Sequence, residues 1–450
     1  MKKRFLQKLC TMLAVALVAM FAACDNGTTG GGGGTPVPGN NLAEKLAWLV
    51  ENAESGGDYL IELNADESTT TIVIGGGSDM DWYRANYSRS ISLGDVLVDF
   101  GNRTDITVTL RGQGGNRGIS LSPNRVGGSL FFVLGGVTLV LDNNITLKRR
   151  AGHEGRMVEV SSGTFVMNSG SAIDNTNDAV GHGGVHGSGT FIMNGGTIFG
   201  GGGYGVQGGY GALMERTGVF TMNGGTIKGI RGWGVSVSGV FTMNGGTITG
   251  ISGIGVWVRD AGTFTMSGGT ISGNTGELGG GVRSQGTFTM SGGLISGNTA
   301  ELGGGVAGGL TMSGGTISGN SARRGGGVSL FVNMSGGTIS GNTAELGGGV
   351  FGTLTMSGGL ISGNTAKLGG GVLAFNLTKT GGTITGSDTR GGNVATQSDG
   401  GNAVGIFVES REWTSVEITN VKQRKETTSG PSDNLSHNGD TGEFTGAWDN

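Results

Sequence analysis

One phrase of about twenty-two residues returns between residues 165 and 387, and it admits few folds. It reads GTFTMSGGTISGNT at 262–275 and LTMSGGLISGNT at 354–365. A methionine marks its register at Met167, Met193, Met222, Met243, Met266, Met290, Met312, Met334 and Met356. Lys379 takes that place in the last copy, and the steps run from 21 to 29 residues before settling at 22. A fixed period of this size means a solenoid, in which each repeat contacts only its neighbours.

Within one copy Phe264 and Met266 fall on one face and Thr265 and Ser267 on the other, the period-two signature of a half-buried strand. Gly268 and Gly269 turn the chain, and Ile271 between Thr270 and Ser272 makes a second short strand. Gly273 and Asn274 form the next corner, where positive φ costs little. A third piece, Gly279 to Val282, completes the circuit. The glycine density and the missing 3.6-residue period exclude helix.

Three short strands and three corners describe one rung of a parallel β-helix, so identical residues stack. Val282, Val306, Val328, Val350 and Val372 become an inner column. Asn274, Asn298, Asn320, Asn342 and Asn364 line one corner, where a structural amide ladder is expected rather than a ligand site. One rung buries too few apolar side chains to offset the entropy of ordering it, so both ends need caps. At the N-terminal end Leu42, Leu46, Leu49 and Val50 recur at helical spacing, which predicts a capping helix within 41–57. Strand-like runs at 59–63, 71–74, 106–110, 130–134 and 137–141 are read as irregular first coils. The β-helix is expected over 58–410, irregular to about 163 and regular over 164–387, with roughly fifteen coils and a rod of about 70 Å. Residues 411–450 turn polar and are expected to be a cap or tail.

The ends also speak to location. Lys2, Lys3, Arg4 and Lys8 precede an apolar run from Met12 to Ala23, which has the form of a secretory signal over 1–23. A glycine-rich tether over 24–40, with Gly30 to Gly34 in a row, should act as a flexible spacer. Cys10 and Cys24 are the two cysteines, and Cys10 lies in the segment to be removed, so no disulfide framework is expected. Losing four positive charges would take the net charge from −4 to −8, which argues against nucleic acid or anionic lipid as partners. The 101 glycines sit at punctuation points among recurring apolar residues, which speaks against disorder.

Phe21-Ala22-Ala23-Cys24 resembles the lipobox of bacterial lipoproteins, which implies lipidation at Cys24 and membrane attachment through that anchor. The capping helix, the segments at 107–112 and 136–147, and the serial TFTMSGGTISGNTA-type copies resemble spirochaete repeat lipoproteins over nearly the whole mature chain. The GGGV and ISGN elements look like repeats of polymorphic outer-membrane adhesins, and the fold looks like that of pectin lyases. These resemblances imply an all-β, single-stranded right-handed parallel β-helix on a cell-surface lipoprotein. The chain departs from the adhesins in having no C-terminal run of amphipathic strands for a membrane barrel.

Polysaccharide-cleaving β-helices need clustered aspartates with an arginine or lysine. Residues 261–386 contain no Asp and no His, and their acids are Glu277, Glu301 and Glu345, all at one repeat position. Polar chemistry gathers instead around Asp174, Asp178 and the Gly181-His182-Gly183 element, with His153, Glu154, Arg156 and His186 nearby. That element resembles a polygalacturonase motif without its partner segments, so a glycine-rich corner is the expectation for His182. Trp82 and Tyr83, in the insertion at 79–84, are read as a packed loop in preference to a sugar platform. Trp233 and Trp257 mark a binding face or fill a wider coil. No catalytic, cofactor or metal residues are assigned. The expectation is a non-enzymatic surface rod that displays loops to host, environmental or glycan surfaces. The alternative is a polysaccharide lyase, hydrolase or carbohydrate-binding β-helix with its site on the irregular coils.

Overall fold

A computed structural model describes residues 34–87, 94–123, 127–153, 155–176, 183–201 and 209–397, with short pieces at 404–406, 423–425, 429, 435–438 and 443–446. The segment read as a secretory signal and Cys24 lie outside the described residues. Contacts divide the chain into residues 1–35 and residues 36–450, and the second unit is a parallel β-helix.

Its three long sheets follow from the phrase. In the rung of Thr263–Met266, Thr270–Ser272 and Val282–Ser284, each strand pairs in parallel and in register with its counterpart one repeat away. We call these the methionine, isoleucine and valine faces. On the valine face the inner column runs Val96, Ile72, Phe131, Val158, Val185, Ala212, Val235, Val256, Val282, Val306, Val328, Val350, Val372 and Val404. That makes about fourteen turns, one fewer than the repeat length suggested, at about 4.8 Å each.

Burial explains the choice of residue at each inner position. The rings of Phe165, Phe191, Phe220, Phe241, Phe264 and Phe288 stack at 4.5–5.4 Å before Leu310, Val332, Leu354 and Leu377 continue the column. The methionines lie beside them, fully buried, and from Met193 on each methyl fills the space left by a glycine of the next rung. At Gly269 (φ +80°) a Cβ would stand 2.6 Å from Met243 Cε, so the turn requires glycine for both its conformation and its room.

The asparagine column stands where the sequence put it. Asn298 Oδ1 accepts from the backbone N and the Nδ2 of Asn274, both at 3.0 Å, while Asn298 Nδ2 donates to Asn320 Oδ1 and to the Ile271 carbonyl, both at 3.0 Å. The pattern repeats through Asn342 and Asn364 to Asn393, which was not read from the sequence. All are essentially inaccessible to solvent. Each amide therefore satisfies its own groups and a buried backbone N–H.

The rung differs from expectation in one respect. From residue 299 a fourth, narrow sheet appears, formed by Thr299–Leu302, Ser321–Arg324, Thr343–Leu346, Thr365–Ala366 and Val394–Ala395. Its outward column alternates in sign, Glu301, Arg323, Glu345, Lys367, with ion pairs at 3.0–3.6 Å. Glu301 and Glu345 are thus partnered by basic residues from intervening copies.

At the N-terminal end, α1 (Leu42–Asn52) buries Leu42, Leu46 and Leu49. Asn41 accepts from Glu44 N, and Glu44 returns a bond to Asn40 N. Arg103 donates to the carbonyls of Val50 and Ala53, satisfying orphan acceptors at the helix C-terminus. The segment read as a packed loop is instead a second helix, α2 (Gly77–Asn86), packed through Met80 and Tyr83 against Val73, Phe132 and Leu134. After it, Val96–Asp99 pairs beneath Ile72–Gly75 and supplies the first rung of the valine face out of sequence order. At the far end Leu435–Asn438 pairs antiparallel with the last methionine-face strand, opposite Leu377, Thr378 and the buried Lys379. An antiparallel strand there occupies an edge that would otherwise invite further stacking.

Candidate functional site

The irregular coils gather their titratable groups on the outer side of the valine face. Glu159 and His186 are register partners on adjacent rungs. Alternation directs their neighbours Val158, Val160 and Val185 into the core and turns these two outward. Arg156 Nη1 and Ser129 Oγ both donate to Glu159 Oε2 at 2.9 Å. Tyr210 shares a hydrogen bond with Arg156, and its ring lies 6.1 Å from that of His186.

His186 is 8% exposed. Burial, aided by the Arg156 charge and opposed by Glu159, lowers its pKa from the usual value to about 4. The ring is therefore neutral near pH 7. Its 3.1 Å contact from Nε2 to Glu215 Oε1 is then a hydrogen bond donated by a neutral imidazole and not an ion pair. Nδ1 is left as a buried acceptor without a partner. Burial also raises the Tyr210 and Tyr87 phenols.

Such an arrangement has the residue types of acid–base chemistry, and its carboxylates are partnered within the protein. A general base must be free to reach substrate. The Glu159 carboxylate is held between an arginine and a serine. Asp79 accepts from Gly135 N and Ser162 Oγ, Asp142 is paired with Arg111, and Gly118 N and Lys148 hold Asp66 below the usual carboxylate range. Among the described residues no three His, Cys, Asp or Glu side chains cluster as a metal site would require.

Of the residues singled out by sequence, Arg156 and His186 come together. His153 is buried at a corner with Nε2 2.8 Å from the Gly128 carbonyl, and Asp174 closes a local turn by accepting from Thr176 N and Oγ1. His182, Glu154 and Asp178 lie outside the described residues. Tyr83 is packed, donating to Asp95 Oδ2 and stacking on Tyr87 at 4.7 Å, whereas Trp82 is 47% exposed. Glu159, Tyr210 and Glu215 were not found from the sequence. Stacking brings them to His186, which is 24 to 29 positions away.

A shallow groove of about 590 Å³ runs along the corner between the methionine and isoleucine faces, lined by Asn116, Thr146, Asn194, Phe199 and Lys228. Beside it Asn168, Asn194, Asn223, Asn244 and Ser267 form a second, exposed ladder at 2.9–3.3 Å.

The fold and the outer face define a parallel β-helix with a partly buried polar cluster on its early rungs. Compared with known protein families, curated proteins and solved structures, the chain matches none.

Proposed function

We propose that this protein is a non-enzymatic cell-surface lipoprotein, of the spirochaete repeat type its sequence resembles, anchored through Cys24 and using the β-helix as a stiff rod for surface interaction. One observation carries the reading. From Thr287 to Ile384 the inner columns are filled, and the outer surface is mainly hydroxyls, amides and one charge-paired column. The copies at 291–306 and 335–350 differ at a single position, Leu294 against Thr338, as expected of a spacer extended by duplication. Partnered carboxylates on the early rungs also favour scaffold over catalyst.

The second reading, a carbohydrate-binding or polysaccharide-cleaving β-helix, draws support from the unpartnered His186 Nδ1 beside Glu159 and from the corner groove. Incubating the protein with acidic and neutral polysaccharides separates the two. The rod reading expects no shortened chains, and cleavage abolished by His186→Ala or His182→Ala would overturn it. For the anchor, incorporation of a palmitate analogue and detergent-phase partitioning are expected for the natural chain. Both should be lost in Cys24→Ser, and an unlabelled natural chain would remove lipidation from the proposal.

A further inference from the structure

Two rungs beyond the His186 cluster, the valine face carries a second outward group with different chemistry. Trp257 stands in the outward column between Ser236 and Arg283. The Arg259 guanidinium lies 4.4 Å from its ring centroid and 5.7 Å from that of Trp233, and the Arg283 guanidinium lies 5.1 Å from Trp257. The two indoles are 4.9 Å apart. Trp257 Nε1 donates to Gln285 Oε1 at 2.6 Å, and Arg259 Nε donates to Ser236 Oγ at 2.9 Å.

Beyond these contacts the donors are open. Among the described residues no carboxylate lies within ion-pair distance of either guanidinium, Arg283 has no hydrogen-bond partner, and neither Nη of Arg259 has one. The neighbouring Asp260 is exposed and makes no ion pair. The fold itself does not ask for such side chains. The same column holds Ser236, Ala307 and Ser329 on other rungs, all buried, and it ends in Phe351 and Leu373, which are covered together with Leu302, Leu346 and Leu368. Trp257 and Arg283 occupy the stretch left half-exposed before that cover begins.

Guanidinium groups stacked on indole are held in place before any ligand arrives, with planar forks of N–H donors facing solvent. Such forks match carboxylate and sulfate oxygens, and prior ordering lowers the entropic cost of binding. The chain as a whole is acidic, so the cluster is a local reversal of sign. Arg259 and Arg283 belong to successive rungs, about 4.8 Å apart along the axis.

We propose that Trp257, Arg259 and Arg283 form a binding site for an oxyanion, a carboxylate or a sulfate ester, carried on an extended ligand that lies along the rod. This deepens the surface-interaction reading by naming a ligand class, and it rests on that reading.

The test uses the full chain with three soluble probes: dextran sulfate, alginate and uncharged dextran. Retention on at least one anionic probe and quenching of tryptophan fluorescence are expected at low salt, with neither on dextran. The double variant R259Q/R283Q should bind at least tenfold more weakly while melting as the parent does, and Arg390→Gln, on an exposed turn past Ile384, should bind as the parent does. Dextran sulfate and alginate separately identify sulfate and carboxylate as the group recognised. Failure of both anionic probes, or undiminished binding by the double variant, would overturn the site. Shortened alginate chains in the same samples would break the non-enzymatic reading and leave the site standing.

Discussion

The rungs before and after residue 260 solve one packing problem in two ways. Both halves fill the interior with stacked apolar side chains. The early rungs vary in length and place ionic and aromatic groups outside, around His186 and then Trp257. The later rungs settle to one length, add the fourth sheet and run a buried amide column along a corner. Once the step is constant, a polar side chain can rely on its own copy one rung away. Where the step varies, the charged groups around His186 find partners of other kinds, and functional candidates accumulate there.

The contrast can be broken most forcefully in the phenylalanine stack, which spans the junction. Phe241→Ala should cost about 4 kcal/mol, read as a fall in melting temperature, because its ring is packed between Phe220 and Phe264. A loss below about 1 kcal/mol would mean that the stack is loose. Next, Asn320→Ala removes a buried acceptor for Asn298 and a donor to Asn342 and Ile295. About 3 kcal/mol should be lost, with amide exchange accelerating in the adjoining rungs. Asn223→Ala, in the exposed ladder, should change stability by under about 1 kcal/mol. Equal effects would erase the distinction between the ladders.

Protonation tests the early rungs alone. His186 has a folded pKa of about 4 against an unfolded value near 6.5. The neutral ring is favoured by folding, so its contribution is complete above about pH 6.5. It is lost as pH falls toward and below 4, by roughly 3 kcal/mol in all. Melting measured at pH 7.5 and 4.5 should show this difference shrink in His186→Leu, and an unchanged difference would remove the histidine as its source.

Two smaller effects sharpen the comparison of turns. Gly293→Ala places a Cβ 2.6 Å from Met266 Cε at φ +83°, whereas Gly297→Ala meets open space at φ +62°. The first should cost about 2 kcal/mol or more and the second about 1 kcal/mol, and reversed values in thermal melts would disprove the methyl-in-glycine packing. Leu330, at φ +90°, stands in register between Gly308 and Gly352 and leaves Phe331 53% exposed. Leu330→Gly should stabilise by roughly 0.5–1 kcal/mol, and a loss would show that Leu330's contacts outweigh its strain.

The repeat made the columns legible because Met266, Ile271, Asn274 and Val282 return at matching positions, and stacking follows from equal steps. The fourth sheet was not legible. Thr299-Ala300-Glu301-Leu302 alternates over just four residues, with an alanine as one of its two apolar members, and its strand character comes from pairing with the next copy. Helix α2 was missed because it starts at Gly77 without a side-chain cap and buries just Met80 and Tyr83. The polar cluster was half visible. Arg156 and His186 stood out as charge near glycine, but the unequal steps hid the register that puts Glu159 beside His186 and Tyr210 beside both.

Direction also matters in the asparagine column. In every link from Asn274 to Asn393 the side-chain N–H points toward the higher-numbered rung and the side-chain oxygen toward the lower. Backbone bonds between strands alternate in sense and largely cancel, whereas these amides add. The later half of the stack therefore carries an aligned row of side-chain dipoles with the positive end toward the higher-numbered rungs, a property that apolar packing alone would lack.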